Sequence, residues 1–288
     1  MKFFDVENIE DKYRSVTQWN PFPSFPVYGG QILSQSIKVA YKNVQPDFHV
    51  HSTNIYFLIP ASVDEKIVFE TKIIRQGTGF MCQRVEAFQQ DKLISTMDIS
   101  FTKYGKEGLV FQSDDIKLDK NVKYDDIEGV IREGFKRFCT MPDDFKEKHL
   151  NETVQHIKYI SDSIKIEIGK PNNNKRSIRF TLKESLDTEE DTACFISFIS
   201  DFLLLEPALI VLNENLFGGN INTMSSINHS LYFHSVANGT VFVYNVECLR
   251  IVGNRVFCVG HLLNQNGELV ATATQEGLIR LKISSLKV

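Results

Sequence analysis

The sequence predicts an α+β fold built from two similar repeats. Each repeat is a long buried helix wrapped by a curved antiparallel sheet, and the two sheets join edge to edge. Three observations lead there. Ala193–Leu205 is apolar at ten of thirteen positions and on every side of a helical wheel, so a helix here has no solvent face. Both halves of the chain carry runs of strand character separated by short polar turns, the pattern of an antiparallel meander. Ile55-Tyr56-Phe57 precedes Leu231-Tyr232-Phe233 by 176 positions, and the same offset separates Cys82 from Cys258 and Leu93-Ile94-Ser95-Thr96 from Leu269-Val270-Ala271-Thr272. Two sheets laid edge to edge would leave few exposed strand edges.

In chain order, residues 1–28 read as an extended arm, because three prolines between Trp19 and Pro26 block both helix and central strand. Gly29-Gly30 opens a helical stretch with Leu33, Ile37, Ala40, Tyr41 and Val44 at spacings of three and four, closed by Pro46. Strands follow at 54–59, 66–74, 80–89 and 93–102. We assign 1–104 to the first repeat. Residues 105–160 are charge-rich with one helical stretch near Ile127–Phe138, and read as a connector. The second repeat, 161–288, has strands at 163–168 and 177–182, then the opening helix, with Thr188 as N-cap and Asp191 as its capping partner. Strands resume at 226–234, 240–249, 256–263 and 269–283, with Asn264-Gln265-Asn266-Gly267 as a hairpin turn.

Composition narrows the function. The 288 residues carry a net charge of -4 with both signs interspersed, which argues against a nucleic-acid surface. The five cysteines are scattered with no C-x-x-C pair, as free thiols in a reducing compartment would be. No apolar run reaches signal-peptide or membrane-span length, so the expectation is a soluble intracellular protein. His49 and His51 share a strand face but have no evident third ligand, and no metal site is read there. Gly77-Thr78-Gly79 is a hairpin turn rather than a phosphate loop, since no helix follows it.

Within the apolar helix the polar residues Ser197, Ser200 and Asp201 fall on one stripe. A carboxylate there needs a partner or a chemical task. The surrounding stretches resemble the double-hotdog acyl-CoA thioesterase II family, in both halves. They are Tyr28-Gly29-Gly30-Gln31-Ile32-Leu33, His51-Ser52 with Tyr56-Phe57-Leu58, Arg75-Gln76-Gly77 with Gln83-Arg84-Val85, Ile199-Ser200-Asp201-Phe202-Leu203-Leu204, Ser226-Ile227-Asn228-His229-Ser230 and Thr274-Gln275-Glu276-Gly277. The resemblance implies hydrolysis of fatty acyl-CoA, with Asp201, Ser226 and Gln275 as the catalytic set, and no cofactor beyond the coenzyme A of the substrate. It also implies the peroxisomal matrix, with the cytoplasm as alternative, although the tail Leu286-Lys287-Val288 lacks the small-basic-leucine order of a peroxisomal address. Asn228 stands where many relatives have aspartate, and the first repeat has no acidic counterpart of Asp201, so one working centre is expected.

Thioester hydrolysis needs a base, an oriented nucleophile and donors for the oxyanion. Asp201 would draw a proton from water while Ser226 and Gln275 hold that water, and backbone N–H groups at a helix N-terminus would receive the oxyanion. Two other routes stay open: Ser226 as nucleophile, and direct attack by Asp201. The first lacks a G-x-S-x-G elbow, and His229, three residues along a strand, is expected on the opposite face. Arg75, Arg84, Arg250, Arg255 and Arg280 are candidates for the coenzyme A phosphates. A catalytically idle acyl-CoA-binding protein and an enoyl-CoA hydratase are the competing functions. The fused pair is compatible with further homo-oligomerisation.

Overall fold

The computed structural model describes residues 1–23, 25–103, 108–235 and 239–282. After a 3-10 turn at Lys2–Phe4, the first half contains β1 (Val6–Ile9), β2 (Lys12–Ser15), α1 (Gly29–Tyr41), β3 (His49–Phe57), β4 (Val68–Gln76), β5 (Phe80–Gln89) and β6 (Lys92–Thr102). The chain continues through β7 (Tyr124–Asp126), α2 (Ile127–Phe138) and α3 (Asp143–Ser161) to β8 (Ile164–Gly169), β9 (Lys175–Leu182), α4 (Glu189–Ser200) and α5 (Glu206–Val211). It ends with β10 (Ile221–Phe233), β11 (Val241–Val252), β12 (Arg255–Asn264) and β13 (Leu269–Leu281). The tail Leu286-Lys287-Val288 lies outside the described residues.

One 13-stranded antiparallel sheet runs through both halves in the order β1-β2-β4-β5-β6-β3-β10-β13-β12-β11-β9-β8-β7. The join is β3 against β10, with Asn54 opposite Ser230. The two edges are short strands of 4 and 3 residues, which leaves little open ladder for another chain to pair with. Alternation places Met81, Gln83, Val85 and Ala87 of β5 on the inner face.

Inside the concavity α1 and α4 pack on each other. Every residue from Thr192 to Ser200 is buried, as its all-round apolar character requires, and each large side chain such as Phe195 or Phe198 contributes roughly 1.5–3 kcal/mol of burial. Ser34 Oγ donates to the Cys194 carbonyl at 2.9 Å and Cys194 Sγ to the Ser34 carbonyl at 3.5 Å, so the helices touch at a point where the chain offset is 160. Thr188 caps α4 as predicted, accepting from the Asp191 N–H at 3.0 Å.

Three expectations need correction. The arm is not irregular throughout: β1 and β2 form a hairpin, with Glu10 at φ 60 in its turn, and β2 adds to β4. The prolines govern only the part after Ser15. The connector span carries α3 as well as α2, and its β7 already pairs with β8 of the second sheet. Finally, the apolar run 193–205 is not one helix. The helix α4 stops at Ser200, Leu203 takes a left-handed φ of 55, and α5 starts with a proline in its first turn. Pro207 is the reason, because its ring excludes the carbonyl four residues back and cannot sit inside a continuous helix.

Candidate active site

Asp201 is the C-cap of α4. The negative end of a helix is an unfavourable place for a carboxylate, and the start of α1 compensates. The Gly30 N–H donates to Asp201 Oδ2 at 2.9 Å. The approach requires glycine: a Cβ on Gly29 would lie 2.8 Å from Asp201 Oδ2, and one on Gly30 would lie 2.4 Å from the Phe198 carbonyl oxygen. Tyr28 Oη donates to that same carbonyl at 2.7 Å, docking the start of α1 on the end of α4. The carboxylate of the second half is thus held by backbone of the first.

Its other oxygen, Oδ1, accepts from Gln275 Nε2 of β13 at 2.9 Å. The same amide nitrogen donates to Ser226 Oγ of β10. The three residues expected from the sequence therefore meet, with Gln275 in the middle and both of its amide hydrogens committed. Burial pushes the Asp201 carboxyl up to about 7, against the two hydrogen bonds from Gln275 and Gly30, which favour the ionised form.

A fourth residue, His229, joins them against expectation. Its register partner is Gln275, while Ser226 pairs with Gly277, and the register shifts between Ser226 and Asn228. That β-bulge adds one residue to β10 and turns His229 to the same side as Ser226. Its Nδ1 lies 3.1 Å from Gln275 Oε1 and its Nε2 lies 3.0 Å from Ser200 Oγ. The ring is fully buried, and burial lowers its pKa to about 4. Asn228 is turned elsewhere and accepts from the Glu276 N–H at 3.4 Å.

Asp201, Ser226 and Gln275 border a cavity of about 940 Å³. Its wall is mostly apolar and comes from both halves and the connector: Phe22 and Phe25 of the arm, Phe57 of β3, Ile131 of α2, Leu204 and Phe217. None of the five arginines considered for coenzyme A reaches it; Arg84 is bidentate to Asp98 and Arg255 pairs with Glu276. The cations on its lining are Arg137, Lys170 and Arg176, and Arg176 is bound to Glu206. The matching place in the first half carries different chemistry. By the repeat offsets, Tyr41, Val50 and Ile99 stand for Asp201, Ser226 and Gln275, and Tyr41 Oη accepts from the Val50 N–H at 3.2 Å. Of the paired histidines, His49 Nδ1 is 2.5 Å from Glu189 and His51 Nε2 is 2.8 Å from Ser100 Oγ.

Two family models match in sequence order: acyl-CoA thioesterase N-terminal domain over residues 17–102 and acyl-CoA thioesterase C-terminal domain over residues 136–279. The chain belongs to the acyl-CoA thioesterase II family. This thioesterase-family chain is 26% identical over 291 residues to acyl-coenzyme A thioesterase 8 of Mus musculus, covering 95% of this chain and 86% of the relative. It is 22% identical over 312 residues to peroxisomal acyl-coenzyme A thioester hydrolase 1 of Saccharomyces cerevisiae, covering 90% and 87%. Its fold is that of an acyl-CoA thioesterase II from Mycobacterium marinum, with a TM-score of 0.74, 21% identity and coverage of 99% and 98%. The double-hotdog architecture of this family is thus present, and at the C-terminal end of α4 the Asp201 carboxylate of the second half meets the Gly30 N–H of the first at the cavity wall.

Proposed function

We propose that the chain hydrolyses fatty acyl-CoA thioesters to free fatty acid and coenzyme A by activating water at Asp201. The observation that carries this reading is a carboxylate with a pKa of about 7 that borders an apolar cavity while being fixed from two sides. Each Asp201 oxygen accepts one protein hydrogen bond and keeps a lone pair for a water in the cavity. Both hydrogens of Gln275 are committed to Asp201 and Ser226, so Gln275 holds those two residues rather than the water itself. Ser226 Oγ then has its own hydrogen and a lone pair for the water or the thioester carbonyl. Water loses a proton to Asp201 as its oxygen bonds to the carbonyl carbon. Collapse of the tetrahedral intermediate breaks the C–S bond, and the proton on Asp201 passes to the leaving sulfur. At the α1 start the Gly30 N–H is engaged by Asp201 and those of Gln31 and Ile32 by the Tyr28 carbonyl, which leaves the Gly29 N–H as the candidate donor there for the oxyanion.

The testing experiment follows free-thiol release from a panel of acyl-CoAs by the protein and by Asp201→Asn. Loss of release with retained acyl-CoA binding is the expected result; unchanged release in the variant removes Asp201 from the mechanism. Binding without release in the unmodified protein would mark an idle binding module, and loss of enoyl absorbance without release a hydratase. The similarity to a yeast protein named as peroxisomal supports a peroxisomal matrix location, which fluorescence microscopy of the tagged chain tests.

A further inference from the structure

Ser200, His229, Gln275 and Asp201 form a closed ring of hydrogen bonds, since Ser200 and Asp201 are adjacent in the chain. With Asp201 ionised, one set of protons satisfies the whole ring. Asp201 as a carboxylate and Ser226 through its oxygen both accept from Gln275 Nε2, which forces Gln275 Oε1 toward the histidine. An acceptor facing Nδ1 at 3.1 Å requires Nδ1 to carry the hydrogen. In a neutral imidazole Nε2 is then an acceptor, and the Ser200 hydroxyl, which also has the Ser197 carbonyl within reach at 2.9 Å, turns its hydrogen to Nε2 at 3.0 Å in this arrangement. The other neutral tautomer would set two lone pairs against each other at Gln275. Burial keeps the ring neutral near pH 7, which removes the doubly protonated form that would satisfy both contacts.

We propose that His229 is a positioning residue that fixes the Gln275 amide through an Nδ1–H tautomer, so that both amide hydrogens point at Asp201 and Ser226. Without that donor the amide is free to turn over and present its oxygen to the carboxylate, which repels it and unseats the base. The β-bulge at Ser226–Asn228 serves this arrangement, because a regular β10 would direct the imidazole to the outer face. His229 touches neither cavity nor substrate and acts wholly through Gln275; its catalytic consequence rests on the water-activation reading above.

Two measurements test it. The first is made on the unmodified protein labelled with 15N-histidine: ring nitrogen shifts at neutral pH are expected to show His229 as the Nδ1–H tautomer, assigned by its absence in His229→Asn. An Nε2–H tautomer or a charged ring overturns the proposal, whatever the enzyme's activity. The second compares kinetics. His229→Leu fills the space but donates nothing, and kcat is expected to fall about 10²-fold with little change in KM. His229→Asn places an amide N–H near the Nδ1 position and is expected to recover most of that loss. In a Gln275→Ala background, His229→Leu is expected to cost nothing further. Equal losses in His229→Leu and His229→Asn, or losses that multiply with Gln275→Ala, overturn the proposal. A Gln275→Ala variant with full activity would instead sink the role assigned to Gln275, leaving the tautomer result standing by itself.

Discussion

Asn54 and Ser230 face each other across the β3–β10 seam, joined by a hydrogen bond from Ser230 Oγ to Asn54 Oδ1 at 2.8 Å, and they stand 176 positions apart. That number is the repeat offset, so the pseudo-two-fold axis passes through this pair. Tyr56 and Tyr232, also related by the offset, flank it on opposite strands. The helix contact at Ser34 and Cys194 has an offset of 160, so the second repeat holds sixteen more residues between its helix and its first strand. Those residues include α5 and Phe217, which line the cavity in the second half only.

Because β10 has a hydrogen-bonded neighbour on both sides at Ser230, Ser230→Pro removes a ladder donor and strains a central strand. The expected cost is about 3 kcal/mol or more, read as a lowered urea midpoint. Ser230→Ala loses one exposed hydrogen bond and is expected to cost under about 1 kcal/mol.

Asp201 sets two opposite pH dependences. As the base it must be ionised, so kcat/KM is expected to fall about tenfold per unit below pH 7 and to level off above it. Stability runs the other way. The carboxyl rises from 3.8 to about 7 on folding, so between those values the folded chain binds more protons than the unfolded one and stability declines as pH increases. Asp201→Asn escapes that decline. Its amide NH2 must face either the Gly30 N–H or the Gln275 amide, so the variant starts less stable at pH 4, and thermal denaturation is expected to show its stability changing less between pH 4 and pH 8 than that of the unmodified protein.

The two glycines that open α1 separate stability from activity. Gly30→Ala meets a backbone carbonyl at 2.4 Å and has nowhere to go, so a loss of roughly 1–3 kcal/mol in chemical denaturation is expected. Gly29→Ala meets Asp201 Oδ2 at 2.8 Å and the Phe57 ring at 3.0 Å. Its expected effect is a kcat lowered about tenfold or more by a displaced carboxylate, with the melting temperature little changed.

Gly134 gives a change of sign. A Cβ there would lie 2.2 Å from the Phe217 ring, which itself packs 4.9 Å from Phe135. Gly134→Ala is expected to destabilise the protein and to alter KM most for long acyl chains, as Phe217 is driven from its place in the cavity wall. In a Phe217→Ala background the clash is gone, and the same substitution is expected to stabilise α2 by up to about 1 kcal/mol through helix propensity.

Much of this was legible in the sequence because period-2 and period-3.6 patterns are local. The strand predicted at 80–89 is β5 to the residue, and Thr188 caps α4 as its spacing with Asp191 implies. The helix α3 is not legible in the sequence because its buried residues, Thr153, Val154, Ile157 and Ile160, form a thin stripe on a charged surface. The end of α4 was signalled by Pro207 but masked by the continuous apolar run before it. His229 was hidden for a different reason. The bulge that turns it inward carries no glycine, so the residues Ser226-Ile227-Asn228-His229 read as regular strand, in which positions three apart face opposite ways.

The hydrogen bond from Gly30 to Asp201 makes the two repeats non-interchangeable. The helices α1 and α4 begin at Gly29 and Glu189, so a symmetric pair of second repeats would bring Glu189 and Glu190 to the place where Gly29 and Gly30 now approach the carboxylate. Two more negative charges would then crowd Asp201, and Cβ atoms would occupy the space it needs. In the present chain those glutamates are occupied with Lys38, Lys42 and His49. Each repeat has given up what the other kept, and neither could now be exchanged for a second copy of its twin.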